Sequence, residues 1–141
     1  MTMIANIPIT VPATLVATNW LQFRDGAPES MVVQAKFTYG SGGATLSAWL
    51  QTSFDDGLTP VDICNFSFTT ASLRALMNLS SLLVVSSPLI PTDGALAANT
   101  ASGTLIGHLL RLKYSTTGTY AGGSALRVDV SPNRGRITSL I

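Results

Sequence analysis

The stretch Met31-Val32-Val33-Gln34-Ala35-Lys36-Phe37-Thr38-Tyr39 decides the fold class. Its odd-numbered positions are all apolar or aromatic, and Gln34, Lys36 and Thr38 alternate with them. A side-chain period of two is typical of a β-strand that has one buried face and one solvated face. We therefore predict a half-buried strand over residues 31–39.

The chain around this strand reads as further short strands separated by turns. Residues 15–23 alternate more weakly, because Asn19 breaks the pattern. Residues 44–54 and 61–68 flank the turn Asp55-Asp56-Gly57. Asp-Gly between two alternating segments is a strong hairpin signal, so the sequence predicts that these two strands pair.

A second hairpin is predicted in the last third of the chain. Residues 106–114 and 126–130 both alternate, and the loop 115–123 joins them. Pairing of these strands would bring Asp129 close to Arg111 or Lys113 on the solvated face.

Two further segments lack the clear alternation of a strand. Residues 72–83 fit both one helical turn after Thr70 and a strand, and we favour the strand because the neighbouring segments are short and strand-like. Residues 89–103 are rich in proline, glycine and small side chains, which predicts a long crossing loop.

These elements predict an all-β fold, an antiparallel β-sandwich or a jelly-roll-like barrel. We expect one domain over residues 13–130, with extended arms at 1–12 and 131–141 outside the sheets. The arms carry apolar residues that favour docking on a neighbouring subunit. The candidate interface residues are Ile4, Ile7, Ile9, Trp20, Trp49, Arg134, Arg136, Ile137, Leu140 and Ile141.

Composition limits the partners of this 141-residue chain. Charged residues make up 11% of it, where roughly 25% is usual. So few charges favour a homo-oligomer, a dimer or trimer, in which neighbours cover part of the surface. The net charge of +1 argues against nucleic-acid binding. The longest apolar-rich stretch, residues 79–90, is well short of the roughly 20 residues of a membrane helix, so no membrane partner is expected.

The inventory of reactive residues favours a binding protein over an enzyme. Cys64 and His108 are the only cysteine and histidine, which leaves no paired ligand or triad set, and we expect both to be structural. Aspartates beside glycines, such as Asp55 and Asp93, are expected to bond the local backbone rather than calcium. No cofactor or metal is predicted. Trp20 and Trp49 lie opposite the apolar stripes, which leaves core packing, an interface anchor or a sugar-stacking platform open for them.

Several longer motifs resemble small structural proteins from the virions of tailed bacteriophages and prophages. In the first half they are Leu50-Gln51-Thr52-Ser53-Phe54-Asp55-Asp56-Gly57, Val61-Asp62-Ile63 and Phe66-Ser67-Phe68-Thr69-Thr70-Ala71-Ser72. In the second half they are Pro91-Thr92-Asp93-Gly94-Ala95-Leu96-Ala97, Arg111-Leu112-Lys113-Tyr114 and Leu126-Arg127-Val128-Asp129. The chain departs from the pattern at Leu58-Thr59-Pro60, where Thr-Trp is usual, and over residues 73–83, which are more apolar here.

The resemblance implies a virion protein without catalytic activity, made in the host cytoplasm and located on the capsid. A capsid decoration (cement) protein that binds the major capsid protein across subunit joints is the expected function. A tail or head-completion component and a carbohydrate-binding β-sandwich module are the alternatives.

Overall fold

The structure of the protein, a computed structural model, describes residues 2–102 and 105–133. This part of the chain contains eleven strands and no helix. The strands are β1 (Thr2–Pro8), β2 (Val16–Ala17), β3 (Leu21–Gln22), β4 (Ser30–Thr38), β5 (Ser41–Gly42), β6 (Thr45–Ser53), β7 (Pro60–Phe68), β8 (Leu73–Ser80), β9 (Leu109–Thr117), β10 (Tyr120–Ala121) and β11 (Ala125–Asn133).

Most of these strands form two antiparallel sheets that share one core. Sheet A has the strand order β1-β11-β4-β8. Sheet B has the order β2-β9-β6-β7, and β3 also pairs with β9. The short strands β5 and β10 form a separate two-stranded ladder. The predicted all-β antiparallel sandwich is confirmed, and the described strands do not close into a barrel.

Alternation along the strands places the core between the sheets. In β4 the odd-numbered residues from Met31 to Phe37 are at most 2% exposed. They face a matching set from sheet B that includes Leu46, Ala48 and Leu112. The strand predicted from residues 31–39 is therefore confirmed, with its apolar face inward.

The loop near Tyr120 closes one end of the core. Tyr120 is buried, packs edge-on against Phe37 with ring centroids 5.5 Å apart, and donates its hydroxyl proton to the carbonyl of Thr69. Gly43 has a φ of +64°, and a Cβ there would lie 2.4 Å from the Tyr120 ring. Glycine is thus required at position 43 both for its backbone conformation and for the space that Tyr120 occupies.

Three local predictions are confirmed. Strands β6 and β7 pair across the predicted turn at residues 55–57. The ambiguous segment 72–83 forms strand β8 and not a helix. Residues 89–100 contain no strand and cross the outside of sheet B as the predicted loop.

The predicted second hairpin is wrong. Strand β9 pairs with β6 in sheet B, whereas β11 pairs with β1 and β4 in sheet A. Asp129 is consequently paired with Arg127, whose Nε lies 3.0 Å from Asp129 Oδ2, and not with Arg111 or Lys113. Alternation shows which face of a strand is buried but not which strand lies next to it, because a loop can also carry the chain from one sheet to the other.

The predicted N-terminal arm is corrected as well. Residues 2–8 form β1 in sheet A, paired with β11, and Ile4 and Ile9 belong to the core. Pro8 does not prevent this pairing because β1 is an edge strand, where a missing N–H donor is tolerated. At the other end β11 continues to Asn133, past the predicted boundary at residue 130.

The predicted strand over residues 15–23 is present only as two fragments. They are β2 and β3, of two residues each, and both pair with β9.

Candidate interaction surfaces

A buried carboxylate anchors a polar network on the outer face of sheet B. Asp62 is 1% exposed. It accepts a hydrogen bond of 2.8 Å from Gln51 Nε2 and another of 2.8 Å from Thr92 Oγ1. The backbone N–H groups of Gly94, Ala95 and Leu96 also donate to it, at 2.8 to 3.2 Å. All five donors converge on one carboxylate, so its charge is compensated inside the protein.

A β-bulge places Asp62 on this face. Strict alternation would put Asp62 and Cys64 on the same side of β7. Leu50 pairs with Cys64, and the next residue, Gln51, pairs with Asp62, so Ile63 is the extra residue. The bulge lets Cys64 enter the core while Asp62 faces outward next to Gln51.

Two cations and a second carboxylate extend the network. Gln51 Nε2 also donates to Asp93 Oδ1 at 2.8 Å, and Arg111 Nε donates to Gln51 Oε1 at 2.8 Å. Lys113 Nζ lies 2.7 Å from Asp93 Oδ1. The Arg111 guanidinium stands 4.5 Å from the centroid of the Trp20 ring, in cation–π geometry.

This network holds the long loop against sheet B. The loop also bonds the edge of β7, where the Asn65 N–H donates to the Thr100 carbonyl at 2.8 Å and the Ser102 N–H to the Ile63 carbonyl at 3.0 Å. Trp49 donates its indole N–H to the Leu96 carbonyl at 3.0 Å and is only 8% exposed. The protein's own chain therefore covers the outer face of sheet B, and the network serves to fix that cover.

The Asp93–Lys113 pair predicts a dependence of stability on pH. Burial acts to raise the pKa of Asp93, but hydrogen bonds from Lys113 and Gln51 and the charges of Lys113 and Arg111 outweigh burial and lower the pKa below its usual 3.8. A carboxylate with a lowered folded-state pKa stabilises the fold above its unfolded pKa, and this stabilisation is lost as the pH falls through the folded value. Because the Asp93 side chain is 47% exposed, we expect at most about 1 kcal/mol.

We expect Asp93→Asn to reduce the loss of stability between about pH 5 and pH 2. Urea denaturation across this range measures the effect. Equal slopes of stability against pH for Asp93→Asn and the unmodified protein would contradict the assignment.

The outer face of sheet A has no such cover among the described residues. The strand register places Gln34 between Leu76 and Asp129, and Lys36 between Arg74 and Arg127. Val32 is 39% exposed and Leu76 53% exposed on this face. A shallow groove of about 250 Å³ crosses its end, lined by residues that include Val32, Asn78 and Ser131. We call this surface face A.

Face A is electropositive. The cations on its described strands are Lys36, Arg74 and Arg127. The acid on these strands is Asp129, which is buried and paired with Arg127. Lys36 makes no ion pair within residues 2–102 and 105–133. The face therefore combines exposed apolar side chains with uncompensated positive charge.

An exposed apolar segment follows strand β8 at the edge of face A. Leu82, Leu83 and Val84 are 67%, 68% and 90% exposed. We call residues 82–85 the apolar segment. These residues were not among the predicted interface candidates, although they lie in the longest apolar-rich stretch, residues 79–90.

The predicted interface residues are placed differently from the expectation. Ile4, Ile9 and Trp49 are buried, and Ile7 is partly buried against the core, so none of these four offers a free anchor. Trp20 is half-buried and one face of its ring is occupied by Arg111. Arg134, Arg136, Ile137, Leu140 and Ile141 lie outside the described residues.

The other candidate reactive residues have structural surroundings. Cys64 is buried, and burial raises its pKa to about 12, so the thiol stays protonated at neutral pH. Asp55 caps its own turn, and a hydrogen bond from the Thr59 N–H is the main cause of its lowered pKa. His108 Nε2 is 3.7 Å from Asp56 Oδ1, a distance too long for a hydrogen bond.

No family model, curated protein or solved structure matches the chain. Among the residues that the structure describes, none belongs to a helix with the length and apolarity needed to cross a membrane. Within the same residues no group of three or more histidine, cysteine, aspartate or glutamate side chains is arranged to hold a metal ion. The class that the fold and these surfaces define is a β-sandwich in which the protein's own loop covers the outer face of sheet B, while no described residue covers face A.

Proposed function

We propose that the protein is a structural component of a bacteriophage virion, a capsid decoration protein that binds the assembled shell through face A. The observation that carries this proposal is the contrast between the two outer faces. On sheet B the buried polar groups are bonded to the protein's own loop, while face A presents Val32, Leu76 and Lys36, which has no ion-pair partner among the described residues.

The chemistry of face A favours a protein partner with acidic groups. A flat sheet surface suits the large, shallow contacts that proteins make with each other better than it suits a small molecule, which needs a concave pocket. Lys36 and Arg74 would meet carboxylates of the major capsid protein, and the apolar side chains would supply most of the buried area. Since the charge pairs are few, added salt should weaken binding only a little.

The surroundings of both tryptophans disfavour the carbohydrate-binding alternative. Trp49 is covered by the loop and bonded to Leu96, and Arg111 stands over Trp20. A sugar-stacking platform needs a free aromatic face, which Trp49 does not offer and Trp20 offers on one side at most. The resemblance to virion proteins supports the decoration function over this alternative.

The variant Lys36→Glu tests the contact through face A. Glutamate at this position lies between Arg74 and Arg127, so the fold gains opposite-charge neighbours and is not expected to lose stability. Facing an acidic partner, it would instead create repulsion. We expect binding to purified particles that lack the protein to weaken about tenfold or more.

Arg24→Glu is the matched control, because Arg24 is an exposed cation in the turn between β3 and β4, away from face A. It should bind particles like the unmodified protein. Equal binding of Lys36→Glu would exclude face A as the contact surface. Mass spectrometry of whole virions supplies the complementary measurement, since a decoration protein is expected in hundreds of copies and a tail component in far fewer.

A further inference from the structure

The edges of the two sheets differ in their protection against pairing with another chain. A bare strand edge presents unpaired N–H and C=O groups that recruit further strands. In sheet B the β7 edge is bonded to the loop, and the opposite edge consists of the two-residue strands β2 and β3. In sheet A, β1 carries a register shift between Met3 and Ala5 and ends at Pro8. Each of these three edges has a feature that discourages pairing.

Strand β8 has none of these features. It pairs residue by residue with β4 from Leu73 to Ser80, without a bulge. Its sequence contains no proline and one charge, Arg74. Within the part of the chain that the structure describes, β4 is its only partner strand. Leu73 and Leu76 on it are each 53% exposed, and the apolar segment follows directly.

We infer that β8 pairs antiparallel with β8 of a second copy, which joins two A sheets into one eight-stranded sheet. A two-fold axis makes a strand its own antiparallel partner, so the same surface serves both copies. The net charge of +1 gives little repulsion between them. This inference concerns the edge of sheet A and does not depend on the proposed function.

The side-chain faces restrict the register of the pairing. Opposed residues must point to the same face, and Ala75 and Met77 point inward because they pair with Ala35 and Val33. A two-fold centred on Leu76 satisfies this condition. It places Leu76 against Leu76 of the second copy and Arg74 opposite Asn78, so two exposed leucines cover each other and no like charges meet.

To be stable, the dimer must bury the area of a specific interface. A specific interface buries about 800 Å² on each partner, about a tenth of the 7733 Å² that this chain exposes. An eight-residue strand is about 27 Å long. The two-fold axis also places the apolar segment of each copy at opposite ends of the paired strands, where it enlarges the contact.

The first test is the mass of the full chain in solution. Light scattering after size exclusion should give twice 14.8 kDa at micromolar concentration. Leu76→Lys places a charge at the centre of the pairing, where it faces its own copy, and should give the monomer. Leu58→Lys is the control, because Leu58 is 84% exposed in the β6–β7 turn, and it should remain dimeric. Circular dichroism of both variants checks that they are folded.

The second test uses a cysteine at the proposed two-fold axis. Directly opposed residues on antiparallel strands have Cα atoms about 4.5–5.5 Å apart, within the range of a disulfide. Leu76→Cys should therefore form a covalent dimer under mild oxidation, while Val11→Cys, at an exposed site elsewhere, should not. Cys64 does not interfere, because it is buried with a raised pKa.

Three results would overturn the inference. A monomeric mass at micromolar concentration would show that no second copy binds the edge. A trimeric mass would exclude the two-fold arrangement. A dimer that survives Leu76→Lys and gives no cross-link with Leu76→Cys would place the contact elsewhere.

Discussion

Replacement of Asp62 by alanine is expected to destabilise the fold by about 3–5 kcal/mol, because several buried donors lose their acceptor at once. The substitution removes the acceptor for five donors, among them the backbone N–H groups of Gly94, Ala95 and Leu96. Each buried donor left without a partner costs about 1–3 kcal/mol, although water that enters under the loop would recover part of this.

Urea denaturation measures this loss as a lower midpoint. The control Asp56→Asn removes the charge of a side chain that is 95% exposed, keeps a residue type that tolerates the φ of +60° at this position, and should change stability by about 0.5 kcal/mol or less. Asp62→Asn keeps the shape and one acceptor oxygen, so it should lie between the two. A loss below about 1 kcal/mol for Asp62→Ala would mean that the loop is held chiefly by Trp49 and the β7 edge.

The second large effect follows from the proposed decoration function and is expected on virus particles. Particles that lack this protein should assemble with normal geometry and release their DNA at a lower temperature. A ligand that binds only the assembled state stabilises it by about 2.7 kcal/mol per site at a hundredfold excess over Kd. Because a decoration protein occupies hundreds of sites, even a modest interface gives a large total effect.

Thermal release of DNA, followed by a dye that binds free DNA, measures this effect. Addition of the purified protein should restore the original release temperature, and addition of Lys36→Glu should not. If particles without the protein were as heat-stable as complete ones but failed to attach to cells, the tail or sugar-binding alternative would replace the decoration function.

The residues of each strand determined much of this fold by themselves. The alternation from Met31 to Tyr39 predicted which side chains of β4 are buried, and the turn at Asp55-Asp56-Gly57 predicted the β6–β7 hairpin. Both are local properties, since a strand period and a turn conformation depend on neighbouring residues only. Cys64 was predicted to be structural, and it lies buried in the core.

The pairing of strands that are distant in sequence depends on the tertiary structure. Alternation in β9 and β11 showed two half-buried strands, but their placement in different sheets depends on how all the strands pack around one core. The N-terminal segment showed no clear pattern, because β1 is an edge strand with a register shift. Its membership of sheet A comes from pairing with β11, more than 100 residues away.

The candidate surfaces also depend on packing. The bulge at Ile63 moves Asp62 to the face opposite Cys64, which no fixed period can predict. The loop then covers Trp49, for which the sequence left core packing, an interface anchor and a sugar-stacking platform open. Exposure is a property of the whole fold, because it depends on which distant segment lies over a side chain. Local alternation and turn chemistry were enough to predict β4, β6 and β7 and their buried faces, whereas the packing of distant segments leaves face A uncovered and the β8 edge unpaired within the described residues.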